Sequence, residues 1–146
     1  MVIRWLISWA FAAVATAALG SLIQSLYNLH RLAGIDAPTG WSDRFSLIGH
    51  DLLHFAPNFA ILMAVAMIIA FPVAGWLVRI FPVWRGWLYA LAGFAAMAMT
   101  LFLMANLLPV TIISAARSTP GFVLLCLAGA AGGAMHAAAT RRRLAH

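Results

Sequence analysis

Chemistry-bearing side chains crowd into one stretch of this chain. All three acidic residues, Asp36, Asp43 and Asp51, lie between residues 30 and 58, together with His30, His50 and His54. Gln24 and Asn28 precede that stretch and Asn58 ends it. Its densest part is SLIGHDLLHFAPNF, residues 46–59. On a helix, His50, His54 and Asn58 recur every four residues and share one face. Two imidazoles at that spacing can chelate one metal ion, and Asp51 adds a carboxylate beside them. A third ligand could come from His30, Asp36 or Asp43.

HDLLH is similar to the HExxH pattern of zinc hydrolases, in which the acid serves as general base. Here Asp51 replaces the longer Glu. GHDLLH is also similar to the first histidine box of membrane fatty-acid desaturases and hydroxylases. That resemblance implies several such boxes around a di-iron centre, whereas His136 and His146 are far from this one in sequence. Haem is a further option. Its axial ligands come from opposite faces, so His50 and His54 cannot both serve one iron, but His30 with either could. A transition metal or haem is therefore one expectation. Solvated interfacial histidines and metal-free proton chemistry are the others, because imidazole changes charge near neutral pH.

A second constellation is polar without being acidic. Gln24, Asn28 and Arg31 recur at four and three residues, forming a stripe that Ser21 extends. An amide inside a bilayer needs partners, so the stripe should face other helices, a ligand or a wet pore. Asn58, Asn106 and Arg117 are expected to join it. Arg117 could also pair with Asp51 or attract a lipid phosphate.

The elements that position these residues follow from composition. The 146 residues are 65% hydrophobic and 8% charged. A soluble domain carries about 25% charged residues. Spanning helices need about 20 apolar residues each. Four stretches qualify: residues 2–29, 59–78, 84–107 and 120–139. The expected fold is all-α, a single domain of four transmembrane helices in an antiparallel bundle. The outer loop, residues 30–58, should carry a short interfacial helix between helices 1 and 2, with Pro57 in the first turn of the second span. The first stretch is too long for a cleaved signal sequence, so it is expected to be retained.

Four spans place both termini on one side. Arg4, Arg79, Arg85, Arg141, Arg142 and Arg143 fall on that side, against Arg31, Arg44 and Arg117 on the other. The arginine excess makes the termini cytoplasmic in a bacterial inner membrane. Trp5, Trp9, Trp76, Trp84 and Trp87 cluster toward the same side as an interfacial belt, with Trp41 alone opposite. The net charge of +6 is scattered between apolar stretches, unlike the continuous basic face of a nucleic-acid binder. Membrane lipids are the expected partners, and the RRR tail suits anionic headgroups.

Gly129 and Gly133 share a face of the fourth span. That face admits a close neighbour, either within the chain or in a second copy or larger membrane protein. Cys126 is the only cysteine, so no intrachain disulfide forms. His136 reads as helix surface or packing. The spans contain no Asp, Glu or Lys, and no P-loop, dinucleotide fingerprint or GxSxG elbow appears. Three functions remain. The first is an accessory, assembly or transport component binding a ligand or partner at its outer polar region. The second is a metal- or haem-dependent enzyme or redox protein built on HDLLH. The third is an oligomeric channel lined by Gln24 and Asn28.

Overall fold

Each apolar stretch forms one long helix. The computed structural model describes residues 2–33, 40–107 and 118–141. The helices are α1 (Val2–Ala33), α2 (Trp41–Ile80), α3 (Arg85–Leu107) and α4 (Thr119–Ala139). All four are long and apolar enough to cross a membrane. The chain is an all-α, multi-pass membrane protein. Its spanning portions, Ile3–His30, Ala56–Ile80, Pro82–Asn106 and Thr119–Ala139, agree with the expected stretches to within about three residues at every end.

The sequence reading is corrected at α2. This helix has 40 residues, about 60 Å at the α-helical rise. The expected interfacial helix is present, but as the first part of α2 rather than as a separate piece. Residues 41–58, assigned above to the outer loop, are helical. Pro57 lies inside α2, as does Pro72. A proline removes one donor and crowds the carbonyl four residues back. Those carbonyls belong to Leu53 and Ile68, both exposed, and the prolines are exposed too. The disturbance therefore sits on the outer flank of α2, where no packed neighbour is displaced.

Connections follow local chemistry. Phe81 precedes a proline, which pushes it out of the helical region, and it adopts φ −124°, ψ 72°. Its N–H bonds to the Leu77 carbonyl at 2.9 Å, closing α2. A single 3-10 turn, Pro82–Trp84, then leads into α3. Ser118 caps α4 by accepting a hydrogen bond from the Gly121 N–H at 3.2 Å, with Pro120 in the first turn, as expected of an N-terminal Ser and Pro.

The helices pack as a ring: α1 on α2, α2 on α3, α3 on α4 and α4 on α1. Sequential helices run antiparallel, and the ends of α1 and α4 meet where Arg4 reaches Ala139. Met63, Met67 and Phe71 of α2, Met97 of α3, and Leu125 and Cys126 of α4 fill the centre. Ile7, Phe11, Ile61, Ile69 and Phe102 point outward, an apolar exterior suited to lipid. The small-residue face of α4 is used inside the chain. A Cβ at Gly129 would collide with the Gly93 carbonyl, and one at Gly133 with the Tyr89 carbonyl. Backbone contact of this kind requires glycine.

Candidate functional site

The described residues of the expected polar region fall into a buried set and an exposed set. Gln24 is buried at 7% exposure, beside buried Ser21 and Ser25, and Asn28 is half-buried. Gln24, Ser21 and Ser25 face the interior of the bundle. Asn58 and Asn106 are exposed, and each amide bonds back to its own helix. Asn58 Nδ2 donates to the His54 carbonyl at 3.2 Å, and Asn106 Nδ2 to the Phe102 carbonyl at 2.7 Å. Arg117 lies outside the described residues, as do the side chains of Arg31 and Asp51.

His50 and His54 share a face as the spacing requires. Both are exposed, with ring centroids 4.2 Å apart and planes inclined by 23°. His54 Nδ1 lies 3.1 Å from the His50 carbonyl, so that nitrogen is engaged and Nε2 is the one free to coordinate. His30 is exposed near the end of α1. Among the described residues, no group of three or more His, Cys, Asp or Glu is placed to hold a metal ion.

A different site forms at the end carrying the termini. A cleft of about 1110 Å³ opens there among all four helices. Arg4, Arg79, Arg85 and Arg141 line it, and Trp5, Phe71, Trp76 and Tyr89 contribute aromatic surface. Pro72, Gly75, Val78, Pro82 and Thr140 complete the wall. Asp43 and the backbone of Asp51 lie in the first part of α2, at the opposite end of the helices. Among the described residues, no Asp or Glu lines this cluster.

Two of the arginines have a structural task. A helix leaves its last carbonyls without intrahelical donors. Arg4 Nη2 donates to the Ala139 carbonyl at 3.1 Å. Arg85 Nε donates to the Ala137 carbonyl at 3.5 Å, and Arg85 Nη2 to Thr140 Oγ1 at 2.6 Å. Thr140 Oγ1 in turn donates to the His136 carbonyl at 2.7 Å. Cations at a helix C-terminus also complement its dipole. A guanidinium has five N–H donors, so both side chains keep donors for a ligand. Arg79 and Arg141 are exposed and make no ion pair among the described residues.

His136 sits directly behind the aromatic wall, at 0% exposure. Its ring centroid is 4.5 Å from Phe71, 5.1 Å from Tyr89 and 5.6 Å from Trp5. Nδ1 is 3.0 Å from Ser8 Oγ on α1. Ser8 Oγ also lies 3.5 Å from the His136 carbonyl, an arrangement that suits the tautomer in which Nδ1–H donates to the hydroxyl. The Arg85 guanidinium carbon lies 5.3 Å from the Tyr89 ring centroid. Four rings and a serine thus tie α1, α2, α3 and α4 together at the base of the cleft. The sequence reading of His136 as helix surface or packing resolves to packing at the bundle's centre. Its spacing held the signal: His136 is three residues after Gly133 and seven after Gly129, on the face already recognised as a contact face.

No family model, no curated protein and no solved structure matches this chain.

Proposed function

We propose that this chain is a non-catalytic component of a bacterial inner membrane that holds an anionic lipid by its headgroup in the arginine cleft, with both termini cytoplasmic. The observation that carries the reading is the one-sided charge of the cleft. Four arginines converge on an aromatic-walled space with no carboxylate among its described lining residues. Guanidinium groups match phosphate oxygens with paired N–H donors. Tryptophan presents an apolar body and one donor, which suits the headgroup level.

The shape fits an amphiphile. Pro72 and Trp76 are exposed on the flank of α2, so an acyl chain can lie along them in continuity with the bilayer. The headgroup then meets Arg79 and Arg141 at the end of the bundle. The volume slightly exceeds the roughly 300–1,000 Å³ of small-molecule sites, which leaves room for a headgroup and the first part of its chains. The arginine excess and the tryptophan belt support a cytoplasmic position for this end. An accessory, assembly or transport-component role fits four spans without a nucleotide motif or a buried carboxylate. In this reading, however, the ligand site is the cleft rather than the polar region at the far end.

Quenching of tryptophan fluorescence by brominated lipids tests the proposal. Brominated phosphatidylglycerol should quench more than brominated phosphatidylcholine at equal mole fraction, because Trp5 and Trp76 line the site. The Arg79→Gln/Arg141→Gln protein should lose that preference by about tenfold, as expected when charge-assisted bonds are removed. Equal quenching by both lipids in the unsubstituted protein would overturn the assignment.

A further inference from the structure

One face of α1 is polar through much of the membrane. Ser8, Ala12, Thr16, Gly20, Gln24 and Asn28 recur every four residues, with Ser21 and Ser25 alongside. Turning this face inward keeps hydroxyls and an amide away from lipid. It also obliges the interior to satisfy them. Ser8 has His136. Thr16 Oγ1, Ser21 Oγ and Gln24 Oε1 are buried and have no hydrogen-bond partner among the described residues. They belong to residues at 0%, 1% and 7% exposure.

These three residues lie within eight positions on one side of one helix, about 12 Å along its axis. The two ends of the seam differ. Beyond Gln24 come half-buried Asn28 and exposed His30, so that end reaches the surface. Below Thr16 the seam is shut. A Cβ at Gly132 would collide with the Thr16 hydroxyl and lie 3.1 Å from the Ala12 carbonyl, and Ala12 and Ala13 are fully buried. The Phe59 ring packs over Gly20 and forms one wall.

We propose that a short file of water molecules occupies this seam, reached from the Asn28 end and stopping at Thr16. Each water supplies what the orphaned atoms need: donors for Gln24 Oε1, and both donors and acceptors for the two hydroxyls. The bundle then carries an aqueous half-track at the end opposite the arginine cleft, and the close contact of Gly132 with α1 separates the two. The inference rests on the α1 seam and the Phe59 and Gly132 contacts that bound it, and stands independently of what the cleft binds.

Cysteine accessibility tests it. In a Cys126→Ala background, Ser21→Cys, Gln24→Cys, Ala13→Cys and Ser42→Cys are each exposed to methanethiosulfonate ethylammonium in detergent. Ser21→Cys and Gln24→Cys should react at least about tenfold faster than Ala13→Cys, since thiolate formation requires water, and slower than exposed Ser42→Cys. Reaction of both at the Ala13→Cys rate overturns the proposal. Where a variant fails to elute as folded protein, X-ray hydroxyl-radical labelling of the unsubstituted chain decides. Radicals generated from seam water should modify buried Phe59, and an unmodified Phe59 overturns the proposal.

Discussion

The two ends of this bundle carry similar polar side chains, and the described ones are bonded differently. At the end with the termini, side-chain hydrogen bonds cross between helices, beside the Thr140 bond to His136 within one helix end. Arg4 reaches Ala139, Ser8 reaches His136, and Arg85 reaches Ala137 and Thr140. At the far end, those of His54, Asn58 and Asn106 fall back on their own helix. His54 bonds to His50, Asn58 to His54 and Asn106 to Phe102, each four residues away. A bond between helices fixes how they assemble. A bond to the preceding turn satisfies one group locally and constrains no neighbour. Stability and recognition should therefore concentrate at the end with the termini, although the far end looks richer in chemistry on paper.

The largest effect expected from this contrast is at histidine. His136→Ala removes the Ser8 bond and opens a cavity among Trp5, Phe71 and Tyr89. By analogy with buried ring truncations, it should cost roughly 3 kcal/mol. His54→Ala removes an exposed ring and should stay within about 0.5 kcal/mol. Thermal unfolding in detergent can be followed through the buried Cys126 thiol, which reacts with a fluorogenic maleimide once the bundle opens. Equal losses in the two variants would break the comparison.

Next in size is the helix contact beside that ring. Gly133→Ala drives a methyl group into the Tyr89 carbonyl, and overpacking of this kind costs about 1–3 kcal/mol. Backbone offers no side-chain rotation to relieve the clash, so the upper part of that range is expected in the same unfolding assay. Retention of full stability would mean that α3 and α4 are spaced more widely than the contact between Gly133 and Tyr89 implies.

The arginines sharpen the comparison further. Arg85→Gln loses a charged donor to Thr140 and another to Ala137, and should destabilise by about 1.5–3 kcal/mol at most, given its partial exposure. Asn106→Ala removes one bond within its own turn and should be nearly silent. Unfolding midpoints that rank Asn106→Ala as the more damaging would reverse the proposed order.

How far these features could be read from sequence depends on how local their causes are. The spans were legible because each needs only its own run of apolar residues. The start of α4 was legible from Ser118 and Pro120, and the α2–α3 turn from Phe81 and Pro82. The shared face of His50 and His54 follows from a four-residue spacing alone. Pro57 misled because a proline fits a first turn equally well in isolation; its tolerance within α2 depends on Leu53 facing away from the bundle. The cleft was not legible. It needs Arg4, Arg79, Arg85 and Arg141 from four parts of the chain, and no spacing rule connects them. His136 lies between these cases: its face was marked by Gly129 and Gly133, but its partner Ser8 is 128 residues away.

The smallest expected effect has the opposite sign and tests the far end itself. Gly49 lies in the first part of α2, where a Cβ would meet nothing within 4 Å. An added methyl group therefore creates no clash. Glycine inside a helix is unfavourable relative to alanine by about 0.5–1 kcal/mol, because it loses more backbone freedom on folding. Gly49→Ala should stabilise this segment by that amount and slow amide exchange near His50 and His54, while the unfolding midpoint of the bundle barely moves. Faster exchange there would show that the segment does not hold a helix continuous with the second span. A matching rise in the midpoint would show that the far end is coupled to the packed core, and the division between the two ends would fail.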